Sequence, residues 1–417
     1  MLDLLLKNVK LPEGRIVDIS VAGGIVTHAG AGGEAAGVID CSGLLVLPGG
    51  VDMHVHMRGG SRESYKEDWG TGSRAALAGG VTFVVDQPNT DPPLTTVQAF
   101  QARVREAQRD SLCHFAVNAG AVPGAPLTDL WKAGAMAFGE IFLAPSTGAA
   151  GVPPRGMKGL LADIHALGAP ATIHAEEVTG EPGIDITSHG ESRSSAGEIA
   201  AVGMVKGIVP GGMQLHFCHL STAGAVAASA PHSSEATPHH LLLSLDDFGP
   251  EDARGKVNPP LRSAAERDGL FAVWDRITVL ASDHAPHTVS EKSGEFSRAP
   301  AGMPGIETMI PLMVPKVLSG ETTLASLIAK TSANPCRVLG IPAPGFSKGD
   351  RADFALFPGE ATVIHARDLH SRCGWTPYEG KRAVFPSLVI MGGEVVVDDG
   401  DITRWNPRWF PGRGYHP

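Results

Sequence analysis

The sequence predicts a (β/α) barrel with a small β domain built from both chain ends. Three observations carry this. Apolar strand-like runs alternate with alanine-rich helical stretches between residues 49 and 344. Both ends read instead as short strands separated by glycine and acidic turns. The histidines and acids that interrupt the apolar runs sit at the ends of those runs, where a barrel gathers its side chains. A doubly wound sheet is the alternative for the repeated β-then-α units.

Taken in order, "LLLKNV", "RIVDISVAGGIV" and "GVIDCSGLLVLPG" are the strands of the first 48 residues. The helical grammar follows in "GSRAALAGG", "VQAFQARVREAQRD" and "AGEIAAVGMVKGIV". Short strands return in "ADFALF" and "PSLVIMGGEVVVDDG", so residues 1–48 and 345–417 are expected to share one β domain around a barrel of residues 49–344.

With 417 residues, 43% hydrophobic and 19% charged, the chain has material for one large core plus a satellite. A formal charge of −10 without a Lys/Arg cluster argues against a nucleic-acid footprint. No segment approaches the ~20 uninterrupted apolar residues of a bilayer span, so no membrane role is expected. The start, "MLDLLLKNVKLPEGR", lacks the apolar core and cleavage site of a secretory signal. Five scattered cysteines without CxxC pairs suggest reduced, cytoplasmic thiols.

The chemistry lies in the interrupting residues. In "VDMHVHMR", period-2 alternation puts His54 and His56 on one strand face, a pair that suits a divalent metal such as zinc or a merely hydrogen-bonded strand. "ATIHAEE" ends an apolar run with His174, "QLHFCHLST" carries His216 and His219, and "ITVLASDHAPH" ends with Asp283. Each alone fits a hydrogen-bonded strand end. Together, converging on one barrel mouth, they fit a metal set. "MAFGEIFL" adds Glu140, an acid inside an apolar strand whose burial needs compensation.

At this point the sequence resembles the dihydroorotases of the cyclic amidohydrolase superfamily over nearly its whole length. The matching stretches include "PGGVDMHVHMR", "YKEDWGTGSRAALAGGVTFVVDQPNT", "TIHAEE", "LHFCHLST", "EATPHHLLL", "KVNPPLR", "LASDHAPHT", "GIET", "NPCRVLG", "KGDRADFALF" and "TPYEGK". The resemblance implies a (β/α)8 TIM-like barrel of the amidohydrolase type with a small β-sandwich domain. It implies zinc held by His54, His56, His174, His219 and Asp283, with His216 outside the ligand positions. It also implies the reversible cyclisation of N-carbamoyl-L-aspartate to L-dihydroorotate in pyrimidine synthesis: a metal-activated hydroxide attacks the ring amide while Asp283 shuttles the proton. Arg58, Asn89 and His287 resemble the groups that grip the substrate carboxylate, and Asn258 the residue that hydrogen-bonds the ring. Arg58 otherwise reads as a surface arginine, and Asn258 as a turn cap before Pro259. Gly302 and Gly305 would shape a loop near the mouth, with His239 and His240 in supporting roles.

Two stretches depart from the family pattern. After Arg58 the family continues with an acidic residue, proline and glycine, whereas this chain reads "GGSRESYKEDW". Many members carry a carboxylated lysine bridging two metals where this chain has Glu140. Glu140 then bridges two zincs, binds one, or hydrogen-bonds the ligand histidines, which leaves one or two zincs per chain. The rival activities are those of allantoinase and dihydropyrimidinase, and the rival class is a non-catalytic scaffold. A homodimer and an association with aspartate transcarbamoylase stay open.

Overall fold

Four N-terminal strands come first in the computed structural model, which describes residues 2–30, 33–146 and 150–416. They are β1 (Leu2–Lys10), β2 (Ile16–Ala22), β3 (Ile25–Gly30) and β4 (Ala35–Asp40), in a sheet ordered β3-β2-β1-β4. A fifth strand, β5 (Leu45–Pro48), leads into the barrel.

The barrel strands are β6 (Gly50–Val55), β7 (Val81–Asp86), β8 (His114–Val117), β9 (Phe138–Phe142), β10 (Ala171–His174), β11 (Leu215–Phe217), β12 (Ser233–Ala236) and β13 (Val279–Leu280). Strands β6 to β8 pair in parallel, as do β9 to β13. Parallel bridges Ala119 to Phe138 and Val55 to His284 join the two runs on both sides, so eight strands close on themselves. Each strand is short and buried. In β6 alternate residues divide by chemistry. Val51 and Met53 pack with Cys336 and Leu339 of helix Asn334–Leu339, while Asp52 accepts from the Ser282 amide at 3.1 Å. The helices offer the sheet apolar stripes such as Phe100, Val104 and Ala107 of Val97–Asp110, capped by the Thr96 side chain.

The chain returns as β14 (Phe354–Phe357), β15 (Thr362–Val363), β16 (Arg382–Ala383), β17 (Leu388–Met391), β18 (Glu394–Asp398) and β19 (Asp401–Ile402). The second sheet runs β19-β18-β17-β14-β5. Leu4, Leu6 and Ile19 from the first sheet meet Phe354, Leu356 and Ile390 from the second, so both chain ends fill one sandwich core.

Two stretches expected in the β domain lie on the barrel instead. Residues 364–383 place Ile364, Trp375 and Tyr378 against Val257, Leu261 and Met303 near the barrel mouth, and Trp375 Nε1 donates to the His287 carbonyl at 2.7 Å. After β19 the tail lies along β8: Phe410 N donates to Phe115 O at 2.9 Å and Arg408 N to His114 Nδ1 at 3.0 Å. Aromatic burial accompanies both, since Trp375 and Phe410 join apolar clusters that include barrel residues. All five cysteines are buried and free. Among the described residues no helix is long and apolar enough to cross a membrane.

Candidate active site

Seven strand ends meet at one mouth. His54, His56 and Arg58 follow from β6, Asn89 from β7, Glu140 and His174 from β9 and β10, His219 from β11, Glu235 from β12, and Asp283 and His287 from β13. Arg58 does not continue the strand alternation of His54, because β6 stops at Val55. Arg58 takes φ +46°, His219 +28° and Asp283 +44°, all in the left-handed region that side chains avoid. Three such residues at one mouth mark a backbone held in place by its surroundings.

Glu140 is buried, and its Oε1 lies 2.7 Å from both His174 Nδ1 and His219 Nε2. Its Oε2 lies 3.4 Å from His54 Nε2. Opposite, Asp283 Oδ1 stands 3.0 Å from His56 Nε2 and 3.5 Å from His54 Nε2. Two carboxylates thus flank four imidazoles from three strands. Burial pushes the Glu140 carboxyl up, but His54, His174 and His219 outweigh it and hold the carboxyl well below its usual range. The same contest, won by His56, His54 and His219, keeps Asp283 ionised. Burial disfavours charge on His174, yet Glu176 and Glu140 raise its pKa to about 9.

This donor set fits a divalent cation. Imidazole nitrogens and carboxylate oxygens are its ordinary ligands. His54, His56 and Asp283 bring ligand atoms within 4.8 Å of one another, and so do His54, Glu140 and His219. The buried His54 Nε2 aims into the cluster without a hydrogen bond. Without a cation the two carboxylates are balanced only by protons on histidines, and a metal relieves that arrangement.

Beside the cluster, Arg58 is buried, and among the described residues no carboxylate lies within salt-bridge distance of it. Its Nε donates to Pro286 O at 3.3 Å and its Nη2 approaches His287 Nε2 at 3.3 Å. Burial, with Arg58, Lys66 and Lys292 nearby, pushes the His287 pKa well below its usual value, so that ring is neutral. Asn89 Oδ1 lies 2.8 Å from His56 Nδ1, so it accepts there and leaves its Nδ2 for another partner. Asn258 lies across the cleft with Nδ2 2.9 Å from Ser146 Oγ, and its Oδ1 has no partner among the described residues. Arg58, Asn89 and Asn258 line one cleft together with His56, Glu140, His174, His219 and Asp283. Gly302 borders it at φ +138°, where a Cβ would meet Ala285 O at 2.7 Å, so this wall admits no side chain. Gly305 N donates to His284 Nδ1 at 3.1 Å.

The supporting residues divide into those the sequence offered and those it hid. His240 spans Thr237 Oγ1 at 2.8 Å and Pro259 O at 2.9 Å, a structural role, and buried His239 stands beside it. His216 stays outside the cluster and holds Glu235 Oε2 at 2.9 Å. Glu235 and Glu176 were not singled out by sequence. Glu235 lies 2.6 Å from His54 Nδ1, while Glu176 pairs with His174 Nε2 and with Arg193 at 2.6 Å. Glu176 offered the signal that exposed Glu140, an acid beside an apolar strand, whereas Glu235 lies in the polar stretch "SSEA".

The amidohydrolase family model matches residues 45–396. A dihydroorotase of Methanosarcina mazei is 39% identical across 90% of this chain and 88% of its own length. One of Halobacterium salinarum is 36% identical across 97% and 98%. Among solved structures, an L-hydantoinase (dihydropyrimidinase) from Arthrobacter aurescens superposes with a TM-score of 0.91 at 26% identity, covering 99% of this chain and all of that one.

Proposed function

The chain belongs to the amidohydrolase family, and from that premise we propose that it is a zinc-dependent dihydroorotase of the cytoplasm, interconverting N-carbamoyl-L-aspartate and L-dihydroorotate in pyrimidine biosynthesis. One observation carries the substrate choice: Arg58, buried and without a carboxylate partner among the described residues, stands beside a cluster of metal-ligand type. A buried guanidinium without a counter-ion is costly, and a substrate carboxylate supplies one. In this reading residues 49–344 form the catalytic barrel and residues 1–48 with 345–417 the β domain, apart from residues 364–383 and the tail after β19, which pack on the barrel.

His54, His56, His174, His219, Asp283 and Glu140 would hold the metal in this proposal, Glu140 as a shared carboxylate, since its Oε1 meets two histidines and its Oε2 faces a third. A divalent cation held there would supply Lewis-acid polarisation of the ring carbonyl and a water of pKa near ~7. Arg58 receives the substrate carboxylate with two parallel charge-assisted bonds, and the Asn89 amide and His287 complete that grip. Asn258 turns to the ring. Water adds its oxygen to the ring carbonyl carbon and gives a proton to Asp283. The ring C–N bond then breaks, and the leaving nitrogen takes that proton from Asp283. Ring closure reverses each transfer, with Asp283 receiving the ureido proton.

A second reading has one observation in its favour, the superposition on an L-hydantoinase (dihydropyrimidinase). Rings without a carboxylate leave Arg58 unpaired, which disfavours it. The deciding experiment incubates zinc-loaded protein separately with L-dihydroorotate, dihydrouracil and allantoin. The proposal expects turnover of dihydroorotate, and it falls if dihydroorotate is untouched while either rival is consumed.

A further inference from the structure

Glu235 is wholly buried on β12, a strand whose end supplies no proposed ligand, yet its carboxylate is fully engaged. Oε1 lies 2.6 Å from His54 Nδ1 and 3.1 Å from the His219 amide nitrogen. Oε2 lies 2.9 Å from His216 Nε2, whose other ring nitrogen is 2.9 Å from Ser233 Oγ. An ionised carboxylate only accepts hydrogen bonds, so each of these nitrogens carries its proton toward Glu235. His54, protonated at Nδ1, keeps its lone pair on Nε2 in the neutral ring. That Nε2 is the atom facing Glu140 at 3.4 Å and Asp283 at 3.5 Å. The His219 amide bond also restrains a residue at φ +28°, a conformation its side chain disfavours.

We propose that Glu235 is a positioning residue of the metal centre: it fixes the His54 tautomer that offers Nε2 to the cation, and it holds the His219 backbone in the orientation that aims its ring at the same place. One acid thereby sets two ligands from different strands, and His216 with Ser233 anchors that acid from behind. Asn89 performs the equivalent service for His56 through Nδ1. The inference rests on the metal-centre reading given above.

The test is Zn²⁺ retention against a chromophoric chelator, with 15N NMR of labelled histidines in the metal-free protein at a pH high enough that the His54 ring is neutral. Glu235→Gln keeps the shape but loses the charged acceptor. Its expected Zn²⁺ affinity is on the order of 10- to 100-fold weaker than wild type, with folding unchanged by circular dichroism. Metal-free wild type is expected to show His54 as the Nδ1–H tautomer and Glu235→Gln to lose that preference, a change that a packing role alone would not produce. Unchanged zinc retention, or a wild-type His54 protonated at Nε2 alone, overturns the proposal. Should Glu235→Gln not fold, His216→Asn removes the prop behind the same carboxylate; weaker retention there supports the inference and wild-type retention overturns it. Wild type that holds no zinc brings down the metal-centre reading and this inference together, whereas a zinc-binding wild type with equally retentive variants overturns this inference alone.

Discussion

At the residue scale, Asp283 and Glu140 face each other across the histidines but differ in work. Asp283 is 3.0 Å from His56 and moves the proton in the proposed reaction. Asp283→Asn keeps the volume and removes the base, so kcat is expected to fall ~10²- to 10⁴-fold, the range of general acid–base catalysis. Steady-state kinetics on protein of verified metal content checks this, and wild-type turnover in the variant contradicts the role. Glu140 holds His174 and His219 through one oxygen. Glu140→Ala is expected to lower the zinc content per chain as measured by elemental analysis. A content near one per chain in both wild type and variant would contradict a bridging carboxylate.

At the element scale, the C-terminal tail is tied to β8 through a histidine that must stay neutral. His114 Nδ1 accepts from the Arg408 amide at 3.0 Å, and its ring packs edge-on against Trp405 and Phe410. Burial, with Arg351 and Arg408 opposing Asp353, lowers its pKa from 6.5 to about 4. The sign follows directly: the unfolded chain takes up the proton first, so this contribution is whole above pH 6.5 and is lost as pH falls from 6.5 to 4. Its size is about 3 kcal/mol from the two pKa values. Thermal melts of wild type and His114→Gln across that window check it: the variant is expected to lose less stability on acidification, and parallel curves contradict the account. This tail was not legible in the sequence, because its aromatic residues follow no strand or helix period among prolines and glycines. The histidines at strand ends were legible because polar residues closing apolar runs stand out. Glu235 escaped notice because "SSEA" is polar enough to hide an acid, although that acid contacts two histidine rings and a ligand backbone.

For the whole molecule, alternating β and α patterns revealed a barrel, while its closure depends on nonlocal pairings such as Val55 with His284 that no local pattern contains. The proposed ligands His56 and Asp283 lie 227 residues apart in sequence, so a cation bound there would join both ends of the barrel. Ligand binding to the native state raises its stability with the logarithm of the free ligand concentration over its dissociation constant. Stripping the metal with a chelator is therefore expected to abolish turnover and lower the melting temperature, and zinc is expected to restore both. An unchanged melt after verified metal loss contradicts that coupling. The central claim is that buried Arg58, set beside this centre, selects a cyclic amide bearing a carboxylate. The most direct measurement is the ratio of kcat/KM for L-dihydroorotate to that for dihydrouracil, in wild type and in Arg58→Met. A hydrogen-bonded charge pair contributes about 1.5–3 kcal/mol, so the ratio is expected to favour dihydroorotate in wild type and to fall roughly 10- to 150-fold in the variant. A ratio that Arg58→Met leaves unchanged would contradict the account.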